Sequence, residues 1–192
     1  MTPLLFAAVT AAYAGRHELS YEYGYTGGEV PMAAEAGLDR PHAFGLRAGV
    51  SALRLENGFG VVVLASWDRT PAGRDDGSTL LRGTLDRWGV GAKLDGELFG
   101  FLFPYGRVEA RLVHGATRIR NTEGSDGRYR GVAPAGLFTG GVELMIPDQR
   151  LPVSAGLYVE GGYEVHGDLR LGALGSINLG GPVLRSGIGL RF

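Results

Sequence analysis

The residues with the clearest chemical potential lie close together late in the chain, where Glu164, His166 and Asp168 are followed by Ser176. A serine beside a histidine, with an acid to orient the imidazole, is the minimum arrangement for an activated nucleophile. The same four residues are more typical of a loop end whose histidine faces water. We therefore predict no catalytic residue here and expect that the protein is not an enzyme.

Metal and cofactor chemistry has still less support in the sequence. His17, His42, His114 and His166 show neither i,i+2 nor i,i+4 spacing, and the chain contains no cysteine. The acidic stretches "GRDDG" and "TEGSDG" do not match a calcium-binding loop. The glycines of "GVGAKLDG" do not have the spacing of a phosphate-binding loop. The sequence thus predicts no metal site and no cofactor.

Composition narrows the class of protein. A net charge of -1 and a pI near 6.4 make nucleic acid an unsuitable partner. The chain of 192 residues contains 34 glycines, which is about two and a half times the usual share of roughly 7%. Glycine disfavours helices and suits strands that curve or whose inward side chains must be small. A single β-rich domain is the expectation.

The first residues read as a targeting segment. Leu4 to Ala12 is a short apolar stretch, and Ala12-Tyr13-Ala14 fits a small-residue cleavage site. We predict a signal peptide over residues 1–14 and a mature domain over 15–192. No Lys or Arg precedes the apolar stretch, so the alternative is a first buried helix or strand.

From there on, apolar residues alternate with polar or glycine residues, which is the strand period. In "AFGLRAGVSA", Phe44, Leu46 and Val50 oppose Arg47. The continuous apolar run "FGVVVLASW" is ambiguous, and we assign Phe59, Val61, Val63, Ala65 and Trp67 to one face. About eight such segments predict an all-β, antiparallel, up-and-down arrangement.

One face of these strands carries no charge, while the other carries seven acids and seven bases. Buried charges must be paired, so this balance favours a transmembrane β-barrel with lipid outside and a charged lumen inside. The rival is a soluble sandwich with the faces reversed. The predicted interior charge network consists of Glu18, Glu22, Arg47, Arg87, Lys93, Asp95, Arg107, Glu109, Arg111, Glu143, Glu160, Glu164, Arg185 and Arg191.

The connections alternate between short turns and long polar stretches, as in strands that cross a membrane. The predicted long outward loops are 27–41, 70–80, 120–131 and 167–182. Residues 169–179 could form a ninth strand, but an odd number is unusual in bacterial barrels, so we assign them to the fourth loop. An eight-stranded lumen is only wide enough for side chains to fill it, which leaves at most a narrow conductance.

Together these features resemble the small bacterial outer-membrane β-barrels, such as the transmembrane domain of outer-membrane protein A and its adhesin-like relatives. In that family a terminal aromatic residue after alternating apolar residues is the signal read by the barrel assembly machinery. Leu184, Ile188, Leu190 and Phe192 match it, whereas Ser186 departs from it. The resemblance covers residues 16–192 and implies a location in the outer membrane of a Gram-negative bacterium.

The resemblance predicts where the protein is located more specifically than it predicts an activity. We expect a non-enzymatic envelope protein that anchors, adheres or binds a partner through its outward loops. The alternatives are a lipid-modifying enzyme at the rim, although the His-x-Ser of lipid A deacylases is missing, and a narrow pore. Expected partners are outer-membrane lipid, the assembly machinery and an unidentified extracellular or envelope protein.

Overall fold

The computed structural model describes residues 17–26, 42–55, 58–75, 79–121, 126–146 and 153–191. The proposed signal peptide, loop 27–41 and Phe192 lie outside these residues, as does the side chain of Glu22. The strands are β1 (His17–Thr26), β2 (His42–Arg54), β3 (Phe59–Asp75), β4 (Thr79–Gly96), β5 (Leu102–Asn121), β6 (Asp126–Ile146), β7 (Ser154–His166), β8 (Leu169–Arg170), β9 (Ser176–Ile177) and β10 (Gly181–Arg191).

Eight of these strands close into an antiparallel barrel in the order β1-β10-β7-β6-β5-β4-β3-β2. The first and last barrel strands pair with each other, so that Leu19 lies opposite Leu190. The predicted all-β, up-and-down barrel is confirmed. No helix among the described residues is long and apolar enough to cross a membrane.

The two faces of the wall are inverted relative to a soluble protein. Val90 is 65% exposed and Leu157 is 62% exposed on the outside, whereas Lys93 is fully buried inside. The ambiguous strand β3 takes the predicted register, with Val63 outward and Val62 inward. A wall that turns aliphatic side chains outward and charges inward requires hydrocarbon around it, which excludes the soluble sandwich.

Inward glycines make room for the charged side chains. At Gly89 a Cβ atom would lie 2.5 Å from Ser66 Oγ and 2.6 Å from Glu109 Oε2. A contact that short would displace the carboxylate, so the missing side chain is what lets the interior charges approach. The space that the interior charges need therefore explains part of the high glycine content of the sequence.

Aromatic residues mark both edges of the lipid-facing belt. Towards the end that carries the longer connections, the ring of Trp67 lies 6.1 Å from that of Phe44 and 5.9 Å from that of Trp88. At the opposite, short-turn end, Phe59 and Phe99 are exposed. Such girdles sit at the two membrane–water interfaces.

The prediction of two of the long loops is wrong. Segments 70–80 and 120–131 are mostly strand, because β3 continues to Asp75, β4 begins at Thr79, and β5 and β6 have 20 and 21 residues. A transmembrane strand needs only about 9–11 residues, so these strands rise well beyond the belt. We call this part, residues 69–75, 79–86, 114–121 and 126–134, the outer wall.

Residues 169–179 do not form a ninth barrel strand. β8 and β9 make a separate two-stranded hairpin around a single 3-10 turn at 172–174. Leu169, Leu171 and Leu179 are buried against Ala133 of β6. We call residues 167–180 the cap, because this small apolar core packs against the barrel wall beyond the charged part of the lumen.

Candidate functional site: the sealed lumen and its outer face

The lumen is filled with ionised side chains. Thirteen of the fourteen residues assigned to the interior have described side chains, and all thirteen are buried. Asp68 and His166 also lie inside, and sequence analysis missed them because both lie at the ends of the alternating segments. With Asp68, the described interior carboxylates and cationic side chains again number seven each. They are Glu18, Asp68, Asp95, Glu109, Glu143, Glu160 and Glu164 against Arg47, Arg87, Lys93, Arg107, Arg111, Arg185 and Arg191.

The layer at the short-turn end is centred on Lys93 of β4. Its ammonium contacts Glu18 and lies 3.5 Å from a carboxylate oxygen of Glu143. Arg191, at the end of β10, contacts the same Glu143 and lies 3.1 Å from Asp95. These contacts join strands from both ends of the chain and therefore help to hold the barrel closed.

The middle layer is centred on Glu160 of β7. Its carboxylate accepts a hydrogen bond of 2.8 Å from the Tyr105 hydroxyl, contacts Arg107, and lies 3.5 Å from Arg47. Arg107 reaches on to Glu109 at 3.2 Å. This layer crosses the lumen from β2 to β5 and β7, so it blocks the axis of the barrel.

The third layer is the most densely paired. Asp68 accepts from Arg87 at 3.1 Å, from Arg111 at 2.9 Å and from Arg185 at 3.1 Å. Glu164 accepts from Arg87 at 3.0 Å and from Arg111 at 2.9 Å. Two carboxylates thus share three guanidinium groups, a balance that buried charge requires.

An apolar layer adjoins the third charged layer, because Val113 pairs across the strands with Arg87 and Leu137 pairs with Glu164. Val113 and Leu137 are fully buried, and Leu169 of the cap is 1% exposed. The described side chains therefore leave little solvent-accessible surface at this level or in the charged layers. The arrangement gives a plugged barrel and not an open channel.

The residues considered for catalysis are not assembled. His166 is buried and its Nε2 lies 2.7 Å from Glu164 Oε1, while its Nδ1 has no hydrogen-bond partner among the residues that the structure describes. Ser176 is exposed on β9. The imidazole thus belongs to the third charged layer, and within the described residues it does not activate the serine.

Metal ligands do not converge either. Among the residues that the structure describes, no group of three or more His, Asp or Glu side chains could hold a metal ion.

The residues assigned to the assembly signal lie on the lipid face of β10. Leu184, Ile188 and Leu190 are 59%, 57% and 42% exposed and point outward, whereas Phe192 lies outside the described residues. Their position on the strand that closes the barrel is compatible with a role in assembly, which stays a prediction.

The first polar contact beyond the belt is a cross-strand ion pair. Arg69 of β3 donates to Asp86 of β4 at 2.7 Å, and its guanidinium lies 5.6 Å from the Trp67 ring centroid. The Asp86 carboxylate raises the pKa of Arg69. This pair marks the level at which the outer face of the wall passes from lipid to water.

Comparisons with known proteins agree with this geometry. No family model and no curated protein matches the sequence. Among solved structures, Neisserial surface protein A matches with a TM-score of 0.50 at 13% identity, over 92% of this chain and 95% of that one. The attachment invasion locus protein of Yersinia pestis, an outer membrane protein, matches with a TM-score of 0.50 at 17% identity, over 93% and 97%. The chain therefore has the fold of the small bacterial outer-membrane β-barrels, and its apolar outer surface makes it a protein of such a membrane.

Proposed function

We propose that the protein is a non-enzymatic anchor whose barrel holds the outer wall and the cap outside the membrane for attachment to an external partner. The observation that carries this proposal is the combination of a plugged lumen with strands that rise far beyond the belt. A pore needs an open axis, and this barrel has three charged layers and an apolar layer across it. A rim hydrolase needs an activated nucleophile, and His166 is held by Glu164 instead.

The outer wall supports a role in recognition because it is a rigid surface and not a set of loops. β4, β5 and β6 remain paired from the belt up to Thr79, Asn121 and Asp126. Strand pairing fixes the side chains of such a sheet, so that less conformational entropy is lost on binding. The attachment invasion locus protein has the same fold, and its name gives an example of the kind of role that we propose.

A shortened hairpin tests this function. In one variant, residues 116–130 of β5 and β6 are replaced by Asn-Gly, which keeps the membrane-spanning strands and closes them with a favoured two-residue turn. A second variant removes residues 171–177 of the cap and leaves the wall intact, so that the wall and the cap are tested separately. Vesicles that carry each protein are applied to cultured host cells and to immobilised extracellular matrix.

We expect vesicles with the native protein to attach and vesicles with the shortened hairpin to lose most of that attachment, while both proteins show the heat-dependent gel mobility of a folded barrel. Equal attachment by the native and shortened proteins would show that the outer wall is not the recognition surface. If the native protein does not attach, the proposed function is contradicted.

A further inference from the structure

The cap follows β7 directly and covers its last residue, His166. The imidazole is fully buried, although β7 ends at this residue and Gly167 already belongs to the cap. Asn178 of the cap donates from Nδ2 to the backbone oxygen of His166 at 3.5 Å, and its Oδ1 accepts from Gly180 N at 3.0 Å. The burial of the imidazole therefore depends on the position of the cap.

The two ring nitrogens of His166 have different surroundings. Nε2 lies 2.7 Å from Glu164 Oε1, whereas Nδ1 is buried and has no hydrogen-bond partner among the described residues. A neutral imidazole suits this arrangement, because Nε2–H donates to the carboxylate and Nδ1 carries no proton. A second proton would have to bind to Nδ1, where no described residue accepts it. A buried donor without a partner is costly, and more so on a charged group.

The charged groups around this end of β7 leave no carboxylate for a further cation. The described ones, in the third charged layer and in the cap, are Glu164, Asp68, Arg87, Arg111, Arg185, Asp168 and Arg170. The two cap residues in this set are exposed, and the facing position on β6 is the uncharged Ala135. Glu164 already accepts hydrogen bonds from Arg87 and Arg111. A protonated His166 would be a third cation at this carboxylate, which a buried site does not favour.

The cap is joined to the barrel by contacts that can be released together. Its three buried leucines pack on Ala133, and Gly167 N donates to Pro134 O at 2.8 Å. β8 and β9 pair with each other and with no barrel strand. Among the described residues, no ion pair joins the cap to the wall. The cap can therefore move away about Gly167 and Gly180 without breaking a barrel strand.

We propose that protonation of His166 releases the cap from the wall, so that mild acid uncovers the inner face of the outer wall. The contact between Nε2 and Glu164 is made whether the cap is docked or released, so it favours neither position. Nδ1–H, in contrast, reaches a water acceptor only when the cap has moved away, so the imidazolium favours the released position. Added protons shift an equilibrium towards the state that binds them more tightly, so the docked cap is retained at higher pH and lost as the pH falls.

This inference goes beyond the attachment function, and it concerns the cap alone. The charged layers of the lumen stay in place when the cap moves, because their contacts around Lys93, Glu160 and Asp68 involve no residue of the cap.

The distance from the cap to the far side of the barrel tests the proposal. The chain contains no cysteine, so nitroxide labels on Ser176→Cys and Leu46→Cys are the only two. Ser176 is exposed on β9, and Leu46 is exposed on β2, which lies opposite β6 in the ring. Pulsed electron paramagnetic resonance on the full chain in phosphatidylcholine nanodiscs gives the distance distribution from about pH 7.5 to about pH 5, the range in which imidazole side chains titrate.

His166→Gln is the central variant, because glutamine can donate to Glu164 but cannot take up a proton. His114→Gln is the matched control, since this histidine lies on the outer face of β5. Asp168→Asn removes the other titratable group beside Gly167. Heat-dependent gel mobility confirms that each variant is folded, and His166→Asn is the second variant if His166→Gln does not fold.

We expect one docked distance for the native protein at about pH 7.5 and a second, longer distance that grows towards about pH 5. The ratio of released to docked cap should rise by up to about tenfold per pH unit, which is the limit for one proton. His114→Gln and Asp168→Asn should respond as the native protein does, whereas His166→Gln should stay docked throughout.

A native distance distribution that does not change with pH would overturn the proposal. Acid release of the cap in His166→Gln would also overturn it, because a carboxylate would then be the titrating group. Release in His166→Gln already at neutral pH would show that the imidazole only supports packing, and loss of the response in either control would show that it is not specific to His166; both results reject the proposal. None of these outcomes depends on attachment of vesicles to cells, so failure here is distinguishable from failure of the attachment function.

Discussion

At the scale of single residues, Glu160 shows how the interior depends on pairing. The residue is 1% exposed, and its carboxylate contacts Arg47, Arg107 and the Tyr105 hydroxyl. Two buried cations, Arg47 and Arg107, thus share this carboxylate. Removing one partner of a buried ion pair is far more costly than the net contribution of the pair itself, because the remaining charge stays buried.

We expect Glu160→Ala to lower the free energy of unfolding in phospholipid vesicles by about 3–5 kcal/mol. Glu97→Ala is the matched control, because Glu97 pairs with Arg54 at 3.0 Å at the barrel rim, with side chains 35% and 24% exposed. An exposed pair contributes about 0–1 kcal/mol. Urea titration followed by tryptophan fluorescence measures both. Equal small losses would show that the middle layer is not a buried network.

At the scale of elements, the β4–β5 turn keeps a residue that its geometry disfavours. Phe99 and Gly100 have φ values of 58° and 76°, and Leu98 and Leu102 exchange backbone hydrogen bonds of 2.7 and 3.0 Å around them. The loop thus has three residues, and a positive φ is adopted more readily by Gly or Asn than by Phe. Phe99 is nevertheless 81% exposed, which indicates that its ring is inserted into the lipid interface at the short-turn end.

Phe99→Asn separates backbone strain from membrane insertion. Relief of the left-handed conformation would raise stability by about 1 kcal/mol, whereas withdrawal of a phenyl ring from an apolar environment costs about 1.5–3 kcal/mol. We therefore expect a net loss of about 1 kcal/mol in the free energy of unfolding in vesicles, from these two effects. Phe99→Trp should keep native stability. A gain in stability for Phe99→Asn would mean that the turn lies in water.

At the scale of the whole molecule, the lumen is closed by independent layers. The cap and the apolar layer block the outer end, and the three charged layers lie below them. Removal of the cap alone should not open a passage, since the contacts around Lys93, Glu160 and Asp68 involve no residue of the cap.

We expect a variant in which Asp168 is joined directly to Gly180 to remain silent in planar bilayers at the voltages that open known small barrels. The native protein recorded in parallel is the control. Discrete conductance steps in the variant alone would show that the cap is the plug, and steps in both would revive the narrow pore. Heat-dependent mobility on gels establishes that the silent protein is folded and inserted.

Much of this architecture could be predicted from the sequence. A strand with lipid on one side and the lumen on the other alternates apolar and polar residues with a period of two. Val90 against Gly91 and Arg107 against Val108 alternate because one side meets lipid and the other meets the lumen. The balance of acids and bases on one face was enough to choose between a membrane barrel and a sandwich. This pattern does not predict the strands of the outer wall. Apolar and charged residues no longer alternate there, because the outer face is not in contact with hydrocarbon. There Arg128 and Arg130 look like loop residues although they lie in paired strands.

The sequence alone determined the class of protein, the approximate number of strands and the face on which the charges of the alternating segments lie, since all three follow from local alternation. Only the tertiary structure decided which charges meet, because Arg47 and Glu160 are separated by 113 residues and come together through closure of the barrel. Closure likewise brought Asp68 and His166 into the lumen and folded the cap against the wall. These features depend on the register and shear between strands. Neither can be inferred from the alternation within a single strand.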